Sequence, residues 1–201
     1  AAYRRDYKLG ELCLVPNKKY VFEVFITANM SITLQKPDVD DRVFRNSETH
    51  LASHGYEHAE VNTGTWILYK EINYNEGISE SSEDDIKILS SADNVVDISH
   101  HNGSMYLLPD DTDAIVLFKR FNFGGVNPNP MEYTKERHDD ITADFPPGSP
   151  NGASSAFAVD VNRRWKLFKA VKCVGDFFVV EGRFPKFTTT FNDQVKSLAK
   201  E

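Results

Sequence analysis

The sequence predicts an all-β protein built from two similar modules, and two observations support that prediction. Short runs of β-branched and aromatic residues recur along the 201 residues, with turn-forming residues between them and almost no helical periodicity. This spacing is typical of a β-sandwich or barrel. In addition, the segment 66–70 (WILYK) returns as 165–169 (WKLFK), and 165 − 66 = 99. A recurrence of this size indicates two tandem domains.

The offset of 99 residues holds at two further places. It relates residues 93–94 (Asp-Asn) to 192–193 (Asn-Asp), and it relates the segment 32–41 to 131–140. We therefore expect an internal duplication. The expected divisions are an N-terminal arm at 1–13, a first domain at 14–104, a linker at 105–113 and a second domain at 114–201.

Composition excludes several function classes. The net charge is −7, the pI is near 5.4, and Lys and Arg are scattered, which argues against nucleic-acid binding. No run of 18 apolar residues occurs, so no membrane-spanning helix is expected. The two cysteines, Cys13 and Cys173, fit no zinc or CxxC pattern. One long-range disulfide and two free thiols both remain open.

Period-two alternation and β-branched or aromatic composition predict the strands of the first module. They lie at 20–26, 31–35, 66–69, 86–89 and 95–98. The polar segment 37–60 shows neither the strand period nor the helix period, and we expect it to be a loop. The acidic run 80–85 is interpreted as a solvated loop.

The same signals predict the strands of the second module. They lie at 114–118, 156–161, 165–169 and 176–180. Residues 122–125 form the clearest turn, and the Pro- and Gly-rich segment 146–152 cannot be the interior of a strand or helix. The segment 194–200 is interpreted as a strand end followed by a tail.

Three turn segments share the pattern aromatic, four residues, aromatic, one residue, glycine. The segment 118–125 (FKRFNFGG) fits it in full, 168–175 has a cysteine as the second aromatic, and 69–76 has Glu76 where glycine is expected. The pattern resembles the Greek-key motif of the βγ-crystallins, in which an aromatic packs over a hairpin whose tight turn needs a positive φ. The resemblance implies two tandem Greek-key β-sandwich domains with two motifs each.

The same resemblance implies a calcium signature of two Asn or Asp residues, two variable residues, Ser or Thr, and Ser, paired across two motifs. The segment 93–98 is the best candidate, 150–155 has lost the first position to proline, and 192–197 has Lys196 in the fifth position, where an ammonium opposes a cation. The candidate ligands are Asp93, Asn94, Asp97, Asn151, Ser154, Asn192 and Asp193. The alternative is that these residues only cap turns through local hydrogen bonds.

These features predict a non-enzymatic structural or binding protein of βγ-crystallin type, with calcium as a candidate ligand. No GxSxG, HExxH or phosphate-binding loop occurs, so no enzyme is expected. The alternative is a secreted recognition module, lectin-like or toxin-accessory, that binds a glycan, a lipid or a protein partner. Exposed aromatics such as Tyr106 and Tyr133 would make its contacts.

Three histidines raise a further alternative, a metal-dependent hydrolase. His50, His54 and His58 lie four residues apart, which on a helix would align three imidazoles for zinc. Gly55 interrupts that helix, so we interpret them as surface-loop histidines.

Two sequons make Asn29 and Asn102 candidate glycosylation sites. Together with Ala1 as the first residue, they favour an extracellular protein, with a cytoplasmic location as the alternative.

Overall fold

The computed structural model describes residues 30–37, 39–51, 55–76, 82–125, 129–145 and 152–201. The first domain has seven strands in these residues. They are β1 (Ser31–Lys36), β2 (Val39–Phe44), β3 (His58–Thr63), β4 (Thr65–Tyr69), β5 (Ile86–Ser90), β6 (Val96–Asp97) and β7 (Ser104–Leu107). They build sheet 1 in the order β2-β1-β3-β6 and sheet 2 in the order β5-β4-β7. A helical turn, α1 (Ile72–Asn75), and a 3-10 turn (Glu83–Asp85) lie between β4 and β5.

The second domain has eight strands in the described residues. They are β8 (Ile115–Phe118), β9 (Met131–Tyr133), β10 (Arg137–His138), β11 (Ser155–Ala158), β12 (Arg164–Phe168), β13 (Phe177–Glu181), β14 (Arg183–Phe184) and β15 (Ser197–Lys200). They build sheet 3 in the order β9-β8-β11-β14 and sheet 4 in the order β10-β15-β12-β13. A 3-10 turn (Val171–Cys173) joins β12 to β13.

Each domain interlocks two Greek-key motifs. In motif 2 (β4–β7), motif 3 (β8–β11) and motif 4 (β12–β15), the third strand joins the opposite sheet: β6 pairs with β3, β10 with β15, and β14 with β11. In motif 1 (β1–β3) the third strand is reduced to an isolated bridge between Glu48 and Met105. This antiparallel exchange confirms the predicted all-β fold of two tandem Greek-key sandwiches.

Two tryptophans fill equivalent interiors. Trp66 and Trp165 are each the second residue of the first strand of their motif, β4 and β12, and both have 0% of their surface exposed. Trp66 lies in a core with Leu34 and Leu68, and Trp165 lies in a core with Leu167. The offset of 99 residues is therefore correct for the first strands of motifs 2 and 4.

The outer faces of sheets 2 and 3 pack against each other and join the domains. Ile67, Tyr106 and Val116 belong to this third apolar cluster. Glu76, which stands where the hairpin pattern expects glycine, forms a 2.8 Å ion pair with Lys119 of the second domain, a side chain only 7% exposed. The interface therefore combines apolar burial with a largely desolvated ion pair, which is costly to break from one side.

A serine fastens the hairpin of each of motifs 2, 3 and 4. The first residue of the fourth strand, Ser104, Ser155 or Ser197, donates from its hydroxyl to a hairpin carbonyl at 2.6 Å and accepts from a hairpin N–H at 3.0 Å. The N–H donors are Tyr74, Phe123 and Cys173, all with positive φ. These donors occupy the second aromatic position of the sequence pattern, so the pattern locates the strained turn correctly.

The offset of 99 residues is wrong upstream of motif 2. Ile32 lies in β1, a first strand, whereas Met131 lies in β9, a second strand. Motif 3 has a longer connection, residues 119–130, between its first two strands than motif 1 has. Ile32 corresponds instead to Ile115, because both are core residues of a first strand, and 115 − 32 = 83.

Several strands were not predicted. The segment 37–60 contains β2 and the start of β3, so its assignment as a loop is wrong. Every residue of β2 except the last is exposed, because this edge strand meets solvent on both faces and shows no alternation. The strand β7 extends three residues into the predicted linker. The strand predicted at 20–26 lies outside the described residues.

None of the described residues form a helix with the length and apolar character that crossing a membrane requires.

Candidate calcium site

The connections between the third and fourth strands of motifs 3 and 4 meet in the second domain. The backbone N–H of Asp193 donates to the carbonyl of Ala153 at 3.0 Å, and the Ser154 hydroxyl donates to Asp193 Oδ1 at 3.3 Å. A Cβ at Gly152 would overlap the backbone of Asp193, with the Asp193 carbonyl carbon at 2.7 Å. Glycine is therefore required for this close approach of the two loops.

Burial dominates the electrostatics of this meeting point. Asp193 is 8% exposed, and this burial raises the pKa of its carboxyl, while the Ser154 hydrogen bond and the charge of Arg120 act in the opposite direction. Asn192 donates from Nδ2 to Asp193 Oδ2 at 2.8 Å, and its buried Oδ1 accepts no hydrogen bond from the described residues. A buried carboxylate thus lies beside a buried amide oxygen that lacks a donor.

The oxygen atoms of Ser154, Asn192 and Asp193 suit a hard cation as ligands. A hydroxyl, a carboxylate and an amide oxygen are ligands that Ca²⁺ accepts, and carbonyls and waters commonly complete its six to eight positions. Only one of these groups carries a charge, and Arg120 lies close enough to influence the carboxyl, so the site fits a weakly bound ion. Of the predicted ligands, the structure brings together Ser154, Asn192 and Asp193, and Asn151 lies outside the described residues.

The candidates of the first domain lie in a different loop. Asp93, Asn94 and Asp97 are in and beside the turn between the second and third strands of motif 2, β5 and β6. The carboxylate of Asp93 accepts from Ser90 N–H at 2.6 Å, and that of Asp97 accepts from Ser99 N–H at 2.9 Å. The bonds from Ser99 lower the pKa of Asp97. In the described residues both carboxylates act as local caps, and Asn94 is exposed.

In the first domain, the segment of motif 2 that aligns with 150–155 and 192–197 is 99–104, because Ser104, Ser155 and Ser197 are equivalent. Here Asn102 Nδ2 donates to the carbonyls of Tyr56 at 3.0 Å and Ser99 at 3.1 Å. It thereby joins the motif 1 loop to the motif 2 loop. Gly103 precedes Ser104 as Ser154 precedes Ser155, so Gly103 stands where motif 3 has its candidate hydroxyl ligand. An alignment on these serines would have shown from the sequence that motif 2 lacks this hydroxyl.

The same contacts bear on glycosylation. The Nδ2 atom of Asn102, which would carry a glycan, is engaged in two hydrogen bonds, and the hydroxyl of Ser104 is buried against Glu71. Glycosylation of the folded chain at this sequon would break the join between the two loops. Asn29 lies outside the described residues.

The prediction that Tyr106 and Tyr133 are exposed aromatics is wrong. They are 7% and 4% exposed, because Tyr106 packs between the two domains and Tyr133 lies in the core of the second domain. Their hydroxyls contact Glu132 at 3.1 Å and Asp144 at 3.0 Å, and burial raises both pKa values. Neither ring is available to an external ligand.

The histidines of the third alternative do not form a cluster in the part of the chain that is described. His50 and His58 are exposed, and His54 lies outside it. Over the described ranges, no three His, Cys, Asp or Glu residues are arranged to hold a metal. Any cation site here therefore needs hydroxyl, amide or carbonyl oxygens.

Cys173 donates from Sγ to the carbonyl of Leu198 at 3.3 Å, and Cys13 is not described.

Comparison with known proteins defines the class of this fold. No protein-family model and no curated protein matches the sequence. Geodin, a βγ-crystallin from Geodia cydonium, has a similar structure with a TM-score of 0.71 and 20% identity, covering 87% of this chain and 100% of geodin. A βγ-crystallin from Ciona intestinalis (TM-score 0.34, 19% identity, 44% and 99% covered) and the solution structure of protein S complexed with calcium (0.33, 14%, 86% and 99%) are more distant.

The interlocked motifs place the chain among two-domain Greek-key proteins. Its fold is that of the βγ-crystallins, as the hairpin pattern implied.

Proposed function

We propose that this chain is a non-enzymatic structural or binding protein of βγ-crystallin type, and that its second domain binds calcium between motifs 3 and 4. The observation that supports the calcium site most directly is the contact of Ser154 with Asp193 across two loops, at 3.3 Å. These residues come from different motifs and fill complementary positions of the calcium signature.

Burial supplies the driving force for binding. A carboxylate that is 8% exposed loses most of its hydration, and a neighbouring amide oxygen lacks a donor in the described residues. A cation placed among Ser154, Asn192 and Asp193 satisfies both groups at once. The ion then joins the two loops and stabilises the second domain, whereas the first domain joins its loops through Asn102 without an ion.

The second calcium position of the same domain is not expected to bind. Lys196 occupies the fifth position of motif 4, and its ammonium would repel Ca²⁺. We therefore expect one ion per chain.

Differential scanning calorimetry in calcium and in chelator tests the site. If Ca²⁺ binds only the folded state, a concentration 100 times Kd stabilises by about 2.7 kcal/mol. For a domain of this size, each kcal/mol of added stability raises the Tm by roughly 4–8 °C. The Asp193→Asn variant should lose the shift, and the matched charge change Asp93→Asn, in the exposed turn of the first domain, should keep it.

Isothermal titration calorimetry gives the stoichiometry, which is expected to be one ion in the wild-type chain and in Asp93→Asn, with no binding in Asp193→Asn. An absent shift in the wild-type protein at millimolar calcium, or an equal loss in Asp93→Asn and Asp193→Asn, would rule out the site between motifs 3 and 4.

A further inference from the structure

The outer faces of the four sheets can be compared residue by residue, because the strand registers are equivalent. In sheet 2 the central row is Tyr106, Ile67 and Ile88, and in sheet 3 it is Phe157, Val116 and Glu132. Ile67 and Val116 are buried in the contact between the domains. An apolar residue at the centre of the row thus accompanies docking of one sheet on another.

The equivalent row of sheet 4 is partly apolar and faces outward. It consists of Arg137, Ala199, Lys166 and Val179, with Lys166 in the position of Ile67. The next row pairs Phe168 with Phe177, which is 47% exposed. The Lys166 ammonium lies 5.1 Å from the centre of the Phe177 ring. The sheet 4 face therefore keeps part of a docking surface, with two cations added, each of which also contacts a carboxylate of its own chain, Asp139 beside Arg137 and Glu201 beside Lys166.

The outer face of sheet 1 carries the opposite charge. Its central row is Glu60, Thr33 and Val43, and Val43 is 50% exposed. The neighbouring row includes His58 and Asp97. Alternate residues of the same strands, such as Ile32 and Leu34, point into the core, so this row points outward. Two carboxylates, on Glu60 and Asp97, thus flank the centre of the sheet 1 face.

We propose that the sheet 4 face of one copy of this chain docks onto the sheet 1 face of a second copy. The contact repeats, between chains, the packing of sheet 3 on sheet 2 within one chain. It places Lys166 over Thr33 with Glu60 beside it on the neighbouring strand. Pairing of like faces is disfavoured, because it would bring Lys166 against Lys166 or Glu60 against Glu60.

Such a contact joins two different faces, so it does not close, and copies associate head to tail. The association is expected to be weak and salt-sensitive. Lys166 already pairs with Glu201 of its own chain at 3.2 Å, and exposed ion pairs are screened by salt.

Charge reversal tests the pairing of the two faces. Sedimentation of the wild-type chain at low salt should show association that rises with concentration and falls with added NaCl. Lys166→Glu and Glu60→Lys should each raise the dissociation constant roughly tenfold or more, because each variant opposes like charges. An equimolar mixture of the two variants should associate again, because Glu at 166 then meets Lys at 60.

The mixture gives the decisive result. A wild-type chain that stays monomeric at every concentration overturns the proposal. So does a mixture that stays dissociated, or loss of association in Lys166→Glu but not in Glu60→Lys, which would indicate sheet 4 pairing with itself. Thermal unfolding of each variant close to that of the wild-type chain shows that a loss of association does not come from misfolding.

Discussion

In the first domain the amide nitrogen of Asn102 donates to the carbonyls of Tyr56 and Ser99, whereas in the second domain the carboxylate of Asp193 accepts from Ser154 and Asn192. In each domain these contacts lie where the connections between the third and fourth strands of the two motifs meet, a place that we call the loop crossing. The two loop crossings are equivalent in the fold. One crossing is centred on an amide donor that satisfies two acceptors, and the other is centred on a buried carboxylate that accepts from two donors. In the proposed function only the second crossing, whose central group is anionic, attracts a cation.

With the proposed calcium site, this difference would let one fold carry both ion-independent and ion-dependent stability. The strand exchange and the serine contacts with the hairpins recur in both domains. What changes is the side chain at the loop crossing, where an amide and a carboxylate have opposite needs. Breaking each crossing separately should therefore produce distinct responses to calcium.

The largest effect is expected from Gly152→Ala. The new Cβ would overlap the backbone of Asp193, which cannot move as a flexible side chain can. We expect a loss of about 3 kcal/mol in the free energy of unfolding, together with loss of the calcium response. Urea unfolding with and without calcium measures both.

Gly175→Ala is the matched control for this change. Gly175 has a φ of +79° but no atom within 4 Å of an added Cβ, so only backbone strain of about 1–2 kcal/mol is expected. Its calcium response should remain. An equal loss in both variants would show that the close approach of the loops is unimportant.

A smaller effect is expected from Asn102→Ala. It leaves the carbonyls of Tyr56 and Ser99 without their amide donor, which should cost about 1–2 kcal/mol. The loss should be the same in calcium and in chelator, because the site lies in the other domain. Asn62→Ala removes an exposed hydrogen bond to Thr33 and should cost less than about 0.5 kcal/mol. A calcium-dependent loss in Asn102→Ala would contradict the comparison.

The fold was largely predictable because its strongest signals are local. The aromatic-to-glycine spacing depends on one hairpin, and Trp66 and Trp165 mark the same position in two motifs. Their surroundings are not identical, however. The Trp66 indole donates to the Thr63 carbonyl at 3.2 Å, while that of Trp165 has no acceptor in the described residues. Sequence equivalence fixed the burial of these rings but not their hydrogen bonds.

The candidate site was only partly predictable because it depends on which loops cross. Asp93 and Asn192 share an offset of 99 residues, yet one follows a second strand and the other follows a third. The third strands of motifs 2 and 4, β6 and β14, set that difference, and at two residues each they carry no periodic signal. Likewise, Tyr106 could not be recognised as buried, because its partners come from the other domain.

The smallest expected effect is the pH dependence of stability that comes from the Asp193 carboxyl alone. Burial raises the pKa of its carboxyl above that of an unfolded aspartate, so the folded state binds more protons between the two pKa values. The contribution of this group to stability is fully present below the unfolded pKa and is lost as pH rises through the folded pKa. In Asp193→Asn this dependence is absent, because the amide does not titrate.

In chelator, the Tm of Asp193→Asn minus that of the wild-type chain should therefore decrease as pH falls from 7 toward 4. Exposed aspartates with lowered pKa, such as Asp97 and Asp140, act in the opposite direction but are common to both proteins, so they cancel in the difference. In the proposed site, protons and Ca²⁺ would compete for the same carboxylate, so calcium binding should weaken over the same pH range. A Tm difference that does not change with pH would show that the Asp193 carboxylate is hydrated, which would remove the contrast with Asn102.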